Sequence, residues 1–175
     1  KLINDILEAI MIEILKLAMT LKKNVCVYTC DSEISKFLYG RIIFIDNEFF
    51  ALYMLTPNGE NDGILVKKIS CITYVEMDGQ YDEKMKKLCP NFDDLISKTP
   101  IDFENGNALF SIMLEALRTE KPISVELLDS GVDSVIGQVT AVNEKICTVR
   151  QIDEYGCDDG IAYADNSILL LLMTK

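Results

Sequence analysis

Residues that could do chemistry are few in this chain, and their spacing favours structure over catalysis. The sequence contains six cysteines and no histidine, so neither a Ser-His nor a Cys-His catalytic couple is available. The adjacent acids Asp93-Asp94 and Asp158-Asp159 fall in polar segments, where such pairs are usually solvated rather than tuned by burial. A glycine-rich phosphate loop and a dinucleotide fingerprint are both absent. We therefore expect a protein that is not an enzyme and needs no cofactor.

The cysteines predict buried thiols rather than disulfides or a metal site. Cys26 and Cys30 lie four positions apart in a strand-like run, which places both side chains on one face. Cys71 and Cys147 lie in apolar runs, as small hydrophobic residues do. A CxxC pair is missing, and without histidine the usual zinc spacing is missing as well. We expect reduced cysteines in a cytoplasmic protein, with no bound metal.

The acid-rich segment 153–159 leaves one ligand-binding alternative open. It ends at Asp159, which Gly160 follows, and Asp62-Gly63 is the counterpart of this pair in the first half. Asp can close a turn through its side chain and Gly can supply a positive φ, so a structural turn explains both pairs. A metal loop would need ligating residues in a defined order, and the D-x-[DN]-x-[DN]-G order of a calcium loop is absent.

These pairs belong to a repeat. The stretch GRIIFIDNEFFALYMLTPNGENDGILVKKIS, from Gly40 to Ser70, returns as GQVTAVNEKICTVRQIDEYGCDDGIAYADNS, from Gly137 to Ser167. Matched residues are separated by 97 positions throughout, and the candidate structural turn residues are Gly40, Gly59, Asp62, Gly63, Gly137, Gly156, Asp159 and Gly160. Three glycines and an aspartate in one register predict an internal duplication.

Hydrophobic spacing predicts a helix followed by five short strands in each half. The first helix covers residues 2–21, and its strands are predicted at 25–30, 37–45, 49–55, 64–68 and 69–77. The second helix includes residues 108–117, and its strands are predicted at 123–128, 135–142, 146–152, 160–164 and 168–173. Short strands separated by turn signals predict small barrels. The fold class is therefore α+β, mainly β, with two tandem five-stranded barrels.

Domain boundaries follow from the repeat. Residues 1–88 form the first helix-plus-barrel unit, 89–104 a linker with two prolines, and 105–175 the second unit. Near the end of the first unit, Asp82 is predicted to cap a short helix that ends at Leu88. Because the sequence begins with Lys1 rather than Met, we expect a trimmed form of a longer protein, and an N-terminal targeting segment stays open.

Two apolar segments predict self-association. Met11 and Leu15 widen the stripe of the first helix beyond what one small domain covers, so a second contact is expected there, although core packing is the commoner explanation. The last strand, 168–173, is apolar at every position, which predicts that both of its faces are covered in an interface between repeats or between chains.

Charge limits the choice of partners. The formal net charge is −11, with −2 on residues 1–88 and −9 on residues 89–175. Nucleic-acid binding depends on Lys and Arg, so the second half is a poor surface for it. The alternative is an RNA-binding first half whose phosphate contacts are Lys22, Lys23, Lys67 and Lys68. No apolar run approaches the roughly 20 residues that span a bilayer, so we expect a soluble protein without membrane contact.

The residues after Gly40 resemble the first motif of the Sm-like family. The matching positions are Gly40, Ile42, Ile45, Asp46, Phe49 and Ala51, and in the second half Gly137, Val139, Val142 and Ile146, with Asn143 in place of the aspartate. This resemblance implies a helix followed by a strongly bent five-stranded barrel, and barrels that pair edge strands with their neighbours.

Two departures from the family pattern bear on function. Phe50 and Cys147 stand where the family's asparagine helps to hold an RNA base, and acids precede Gly63 and Gly160 where the family has a basic residue. Both RNA-contacting features are therefore missing, and fold alone does not carry function. We expect a binding or scaffolding module that acts through protein contacts and self-association, with RNA binding by the first half as the alternative.

Overall fold

The computed structural model describes residues 2–29, 36–99, 101–103, 106–127, 134–166 and 169–173, with the backbone alone at 2–5, 126–127 and 169–173. The helices are α1 (Leu2–Thr20), α2 (Gln80–Leu88), α3 (Phe92–Ser97) and α4 (Ala108–Thr119), with a short 3₁₀ turn at Ile69–Cys71. The strands are β1 (Asn24–Thr29), β2 (Leu38–Ile45), β3 (Phe49–Leu55), β4 (Asn61–Lys68), β5 (Ile72–Met77), β6 (Pro122–Leu127), β7 (Val135–Val142), β8 (Ile146–Ile152), β9 (Asp158–Asp165) and β10 (Leu169–Met173). The predicted α+β class is confirmed.

The chain divides into two compact units. The first contains Lys1–Asp62 and Lys67–Pro100, and its strands follow the order β5-β1-β2-β3-β4. The second contains Gly63–Val66 and Ile101–Lys175, and its strands follow the order β10-β6-β7-β8-β9. Within the second unit, β10 pairs with β6 on one side and with Ile64–Val66 of β4 on the other. The predicted start of the last strand, at Ile168, lies outside the described residues.

The described sheets are open, which corrects the prediction of closed barrels. Every described ladder is antiparallel, and β5 and β9 occupy the outermost positions of their orders. Barrel closure requires the first and last strands of a sheet to pair with each other. Among the described residues, β5 pairs with β1 and β9 pairs with β8, and each strand leaves its other edge without a ladder.

Three consecutive strands have the same bounds in both units after a shift of 97 residues. These are β2 with β7, β3 with β8 and β4 with β9. A register shift occurs between Ile42 and Phe44 in the first unit, and between Val139 and Ala141 in the second. A bulge bends a strand and increases its twist, so both hairpins bend at the same place.

Each unit packs one long helix on its strands. In α1, Leu15 and Ala18 are fully buried, and the helix contacts β2 and the 3₁₀ turn. In the second unit, the Asn107 side chain caps α4 by accepting a hydrogen bond from the Phe110 amide at 2.8 Å. The apolar residues that α4 buries are Ala108, Leu109, Ile112, Met113 and Ala116. The buried apolar residues of both helices thus reflect the contact with their own sheets, while α1 also leaves Ile6, Leu7 and Ile10 more than half exposed.

The first unit has two helices without a counterpart among the described residues of the second. Strand β3 is buried at all 7 positions, and one cause is the ring of Phe92 on α3, which lies 5.7 Å from the ring of Tyr53. The first unit extends to Pro100. Part of the range 89–104, predicted as a linker, therefore forms a helix whose aromatic side chain is buried in that unit.

Candidate interaction surface

The glycines at the ends of β3 and β8 form matching turns. Gly59 and Gly156 have φ values of 82° and 79°, in the region that favours glycine. Their amides donate to the carbonyls of Thr56 at 2.9 Å and Asp153 at 3.0 Å. The same turn therefore leads into β4 and into β9.

Gly40 and Gly137 are fixed by the close approach of a neighbouring strand. A Cβ atom at Gly40 would lie 2.0 Å from the carbonyl oxygen of Tyr53, and one at Gly137 would lie 2.0 Å from that of Arg150. Both contacts are with backbone, which cannot rotate away. These two positions admit no side chain without a shift of the hairpin.

The Asp-Gly pairs lie near the starts of the matched strands β4 and β9. Gly63 and Gly160 have φ values of 91° and 95°, while Asp62 and Asp159 are exposed. The Gly160 amide donates to Asp158 Oδ1 at 3.0 Å. Positive φ within a strand is typical of a bulge or kink, so the four residues shape the backbone at these strand starts.

The acid-rich segment 153–159 is bonded within its own hairpin. Asp153 Oδ1 accepts the amides of Tyr155 at 2.9 Å and Cys157 at 2.7 Å. Asp158 pairs with Arg150 at 2.6 Å, and the Gly160 amide and then Arg150 lower the pKa of the Asp158 carboxyl. Across the described ranges, no group of three or more Cys, Asp or Glu side chains could hold a metal ion.

The four lysines of the RNA-binding alternative have different surroundings. Lys23 bonds Asp78 at 2.8 Å, and Lys68 pairs with Glu48 at 3.3 Å. The residue Lys67 is buried, and Lys22 is exposed at the end of α1. Lys23 and Lys68 are thus neutralised by acids, and Lys67 is not accessible at the surface. A continuous phosphate-binding patch would need exposed cations.

The first unit contains a buried polar network that the sequence patterns do not predict. Tyr39 donates its hydroxyl to Asp82 Oδ1 at 2.7 Å, and Asn24 donates to the same oxygen at 3.0 Å. Lys86 pairs with the other carboxylate oxygen at 2.8 Å, and Arg41 donates to Asn24 Oδ1 at 2.8 Å. The available signal was the pair of polar residues, Asn24 and Tyr39, within apolar strand patterns.

This network joins α2 to β1 and β2, and it corrects the prediction that Asp82 caps α2. The helix begins at Gln80 after Gly79, so Asp82 lies in its first turn and faces the sheet. Burial would raise the pKa of the Asp82 carboxyl, but hydrogen bonds from Lys86, Tyr39 and Asn24 outweigh it and lower the pKa. Burial, reinforced by Asp82, raises the pKa of Tyr39 above its ordinary range. The carboxylate is therefore charged and the phenol neutral at pH 7, as a structural clamp requires.

The described cysteines form no disulfides. Burial raises the pKa of Cys26 to about 12, with Glu76 and Asp82 adding to it, and burial raises the pKa of Cys147 to about 11. A thiol with a raised pKa is a poor nucleophile. Cys71, Cys89 and Cys157 form no disulfide either, while Cys30 lies outside the described residues.

The exposed apolar residues of β9 are the clearest difference between the matched strands. Ile161 and Tyr163 are 58% and 74% exposed, whereas their counterparts on β4, Ile64 and Val66, are 1% and 0% exposed. Ile64 and Val66 are the residues that pair with β10. Large exposed apolar side chains along an open strand edge are typical of a site that receives another strand. We name the β9 residues Ile161, Ala162 and Tyr163 the β9 edge.

Comparisons with protein families, with curated proteins and with solved structures give no match for this chain. Within the described residues, the helices are too short or too polar to cross a bilayer. The function proposed below therefore depends on the geometry of the chain itself.

Proposed function

We propose that this chain is a non-enzymatic cytoplasmic scaffold that self-associates by adding the β9 edge of one copy to β5 of the next. One observation carries the proposal: β4 pairs with β10 at Ile64–Val66, and the matched residues of β9 are exposed. In this arrangement, contact between copies repeats a pairing that already exists within the chain. Free buried thiols fit the reducing cytoplasm.

The proposal includes a duplicated, Sm-like unit. Support comes from the common bounds of three strand pairs, the common bulge and the common strand order. The hairpin tips agree in detail, because Asp46 Oδ1 accepts the Phe49 amide at 2.7 Å and Asn143 Oδ1 accepts the Ile146 amide at 2.9 Å. Independent hairpins would not be expected to share each of these features at one spacing of 97 residues.

The duplication gives the register of the contact between copies. In the β4–β10 ladder, Val66 lies opposite Leu171 and Ile64 opposite Met173. Adding 97 to the β4 residue numbers gives the matched residues of β9, and subtracting 97 from the β10 numbers gives those of β5. In the resulting register, Tyr163 lies opposite Tyr74 of the next copy, and Ile161 lies opposite its Glu76. Ala162 then lies opposite Val75.

The chemistry of the two edges suits this register. Tyr74 is 54% exposed, and its ring packs 5.3 Å from that of Tyr28, which holds it in place on β5. Cross-strand aromatic pairs stabilise antiparallel sheets by about 0.2–1 kcal/mol beyond alanine. The main contribution is the pairing of edge N–H and C=O groups that are otherwise left to water.

A charge placed on the β9 edge tests the proposal. The double variant Ile161→Glu/Tyr163→Glu keeps exposed positions exposed and sets a like charge opposite Glu76 of the next copy, which opposes strand pairing. We expect sedimentation velocity at tens of micromolar, on the order of the weaker interfaces, to show a smaller species than the wild type. The matched control Tyr155→Glu/Leu88→Glu adds the same charge at exposed positions outside both edges and should sediment like the wild type.

Cysteine cross-linking tests the orientation. In a Cys157→Ser background, Tyr74→Cys and Tyr163→Cys proteins are mixed and oxidised, and a covalent dimer should form only in the mixture. Directly opposed strand residues have Cα atoms about 4.5–5.5 Å apart, which a disulfide can span. A wild-type chain that is strictly monomeric at these concentrations, or equal cross-linking in the unmixed samples, would sink the edge-pairing proposal.

A further inference from the structure

The first unit contains a cavity of about 350 Å³ at the end of α1, where that helix meets β2 and α3. Clefts of a few hundred Å³ with mainly apolar walls and a small number of polar groups are typical of small-molecule sites. The apolar walls of this cavity are Met19 on α1, Ile42 and Ile43 on β2, and Ile96 on α3. The polar side chains that line it are Lys22, Arg41, Asp93 and Ser97. These polar groups decide what the cavity can bind.

Lys22 is held at the cavity by the turn that ends α1. Its amide donates to the Met19 carbonyl at 3.1 Å, and the Lys23 amide donates to the Ala18 carbonyl at 2.8 Å, which is the hydrogen-bond pattern of a Schellman motif. That motif favours glycine at the position of Lys22, where φ is 50°. Among the described residues, no acid pairs with the Lys22 ammonium group. An unpaired cation thus occupies a backbone conformation that a lysine adopts only at a cost.

Arg41 is a second cation whose position is already fixed in the unliganded chain. Its side chain is 13% exposed, its Nε donates to Asn24 Oδ1 at 2.8 Å, and its guanidinium lies 5.6 Å from the ring centre of Phe92. Its Nη1 bonds Asp93 at 2.8 Å, but the Asp93 side chain is 74% exposed. A guanidinium has five N–H donors, so Arg41 keeps donors for a further acceptor after these two hydrogen bonds.

We propose that this cavity binds a small organic molecule that has one carboxylate and an apolar body. Lys22 and Arg41 hold the carboxylate, and the apolar walls cover the body. Charge complementarity supports this class of ligand. The two cations and Asp93 give the lining a charge of +1, although the whole chain carries −11. One negative charge matches that lining, whereas a phosphate dianion would be repelled more strongly by Asp93.

Other classes of ligand fit this cavity less well. An amine would meet two cations, and a nucleic acid would have to approach a strongly acidic chain through a lining that offers only one net positive charge. The cavity lies wholly within the first unit and uses neither β5 nor β9. The ligand site is therefore independent of the proposed self-association, and each can fail alone.

Calorimetry with three probes tests the charge and the apolar body separately. Phenylpropionate and phenylpropionamide share one body, and only the first carries a charge, whereas acetate carries the charge without the body. We expect phenylpropionate to bind with a dissociation constant on the order of 1 mM, as for so small a ligand, and the other two at least about tenfold more weakly. Equal affinities for the acid and the amide, or no binding of phenylpropionate up to about 10 mM, would overturn the proposal.

Replacement of the acid in the lining should strengthen binding, which a purely structural role would not produce. Asp93→Asn releases Arg41 from its acid partner and removes the one negative charge of the lining, so the dissociation constant of phenylpropionate should fall about threefold to tenfold. The matched control Asp94→Asn makes the same change at an exposed position outside the lining and should bind like the wild type. Equal effects of the two variants would reject the site.

The variant Lys22→Gly separates binding from folding. Glycine relieves the positive φ, so the midpoint of thermal unfolding should stay constant or rise, while loss of the cation should weaken phenylpropionate binding about threefold to tenfold. Lys87→Gln removes one cation from an exposed position on α2 and should leave binding unchanged. Unchanged binding in Lys22→Gly, or equal weakening in Lys87→Gln, would show that Lys22 does not hold a carboxylate.

Discussion

Asp82 is a buried acid whose role is to hold the first unit together. It is 3% exposed, and three different side chains donate to or pair with its two oxygens. Burying a carboxylate is costly unless its oxygens are satisfied. The three donors meet that requirement, and two of them, Asn24 on β1 and Tyr39 on β2, fix α2 over these strands, which explains why an acid occupies a core position in this unit.

Replacement of Asp82 should destabilise the first unit. In Asp82→Asn, Tyr39 keeps an acceptor but Lys86 and Asn24 face an amide instead of a carboxylate. We expect a loss of about 2–3 kcal/mol in the free energy of unfolding, as for a buried hydrogen-bonded group that loses its partners. Urea unfolding followed by tyrosine fluorescence measures it. Asp94→Asn, at an exposed position, is the control, and an equal loss there would contradict the clamp.

Asp82 should also make the stability of the first unit depend on pH. Because the folded state lowers the pKa of Asp82, its stabilisation is complete above the unfolded value of about 3.9 and is lost as pH falls through the folded pKa. The difference in unfolding free energy between wild type and Asp82→Asn should therefore be constant from neutral pH down to about 5 and shrink below about 4. A difference that instead grows on acidification would show that Asp82 is not held charged.

The backbone of a neighbouring strand lies so close to Gly40 and Gly137 that a side chain at either position should destabilise the hairpin. Gly137→Ala should cost about 1–3 kcal/mol or more, because the methyl group would overlap the Arg150 carbonyl. Gly156→Ala has open space around it and should cost only the strain of a positive φ, about 1 kcal/mol. Thermal unfolding of both variants compares the two effects. Similar losses would mean that the hairpin yields at Gly137.

At the scale of elements, the sequence predicts best where local patterns decide the outcome. The bounds of β3, β7 and β8 agree with prediction, because these strands are flanked by Asx turns and glycines whose geometry is local. The helix α3 was missed, because a 6-residue segment carries too little periodicity to be recognised. The polar network was missed for a different reason, since Asn24, Tyr39 and Asp82 meet only after three elements have packed.

The helix α3 should contribute to the stability of the first unit. Phe92 is buried against Tyr53, and the Arg41 guanidinium lies 5.6 Å from its ring centre. Phe92→Ala should lower the free energy of unfolding by about 3–5 kcal/mol, the usual loss for a buried phenylalanine. Asp94→Ala tests the exposed side of the same helix and should change stability by less than about 0.5 kcal/mol. If Phe92→Ala changed the stability as little as Asp94→Ala, α3 would not be part of the folded first unit, and the range 89–104 would be a linker as predicted.

At the scale of the whole molecule, the proposed strand contact determines the kind of assembly. A contact from β9 to β5 joins unlike surfaces and therefore propagates from copy to copy, unless the rotation between copies closes a ring. The wild-type chain should thus form a concentration-dependent head-to-tail series or one closed ring, and a variant with a charged β9 edge should form neither.

Salt should strengthen the strand contact. Each copy carries a net charge of −11, and both edges are acidic, with Asp158, Asp159 and Asp165 on β9 and Glu76 on β5. Raising the salt from about 0.1 M to about 1 M shortens the Debye length from about 10 Å to about 3 Å and screens this repulsion. The dissociation constant of the wild-type chain, measured by sedimentation, should therefore fall about threefold to tenfold. A contact held by ion pairs, or by cations bound to nucleic acid, would weaken under the same change, so a rising dissociation constant would exclude the pairing of two acidic edges through backbone and apolar contacts.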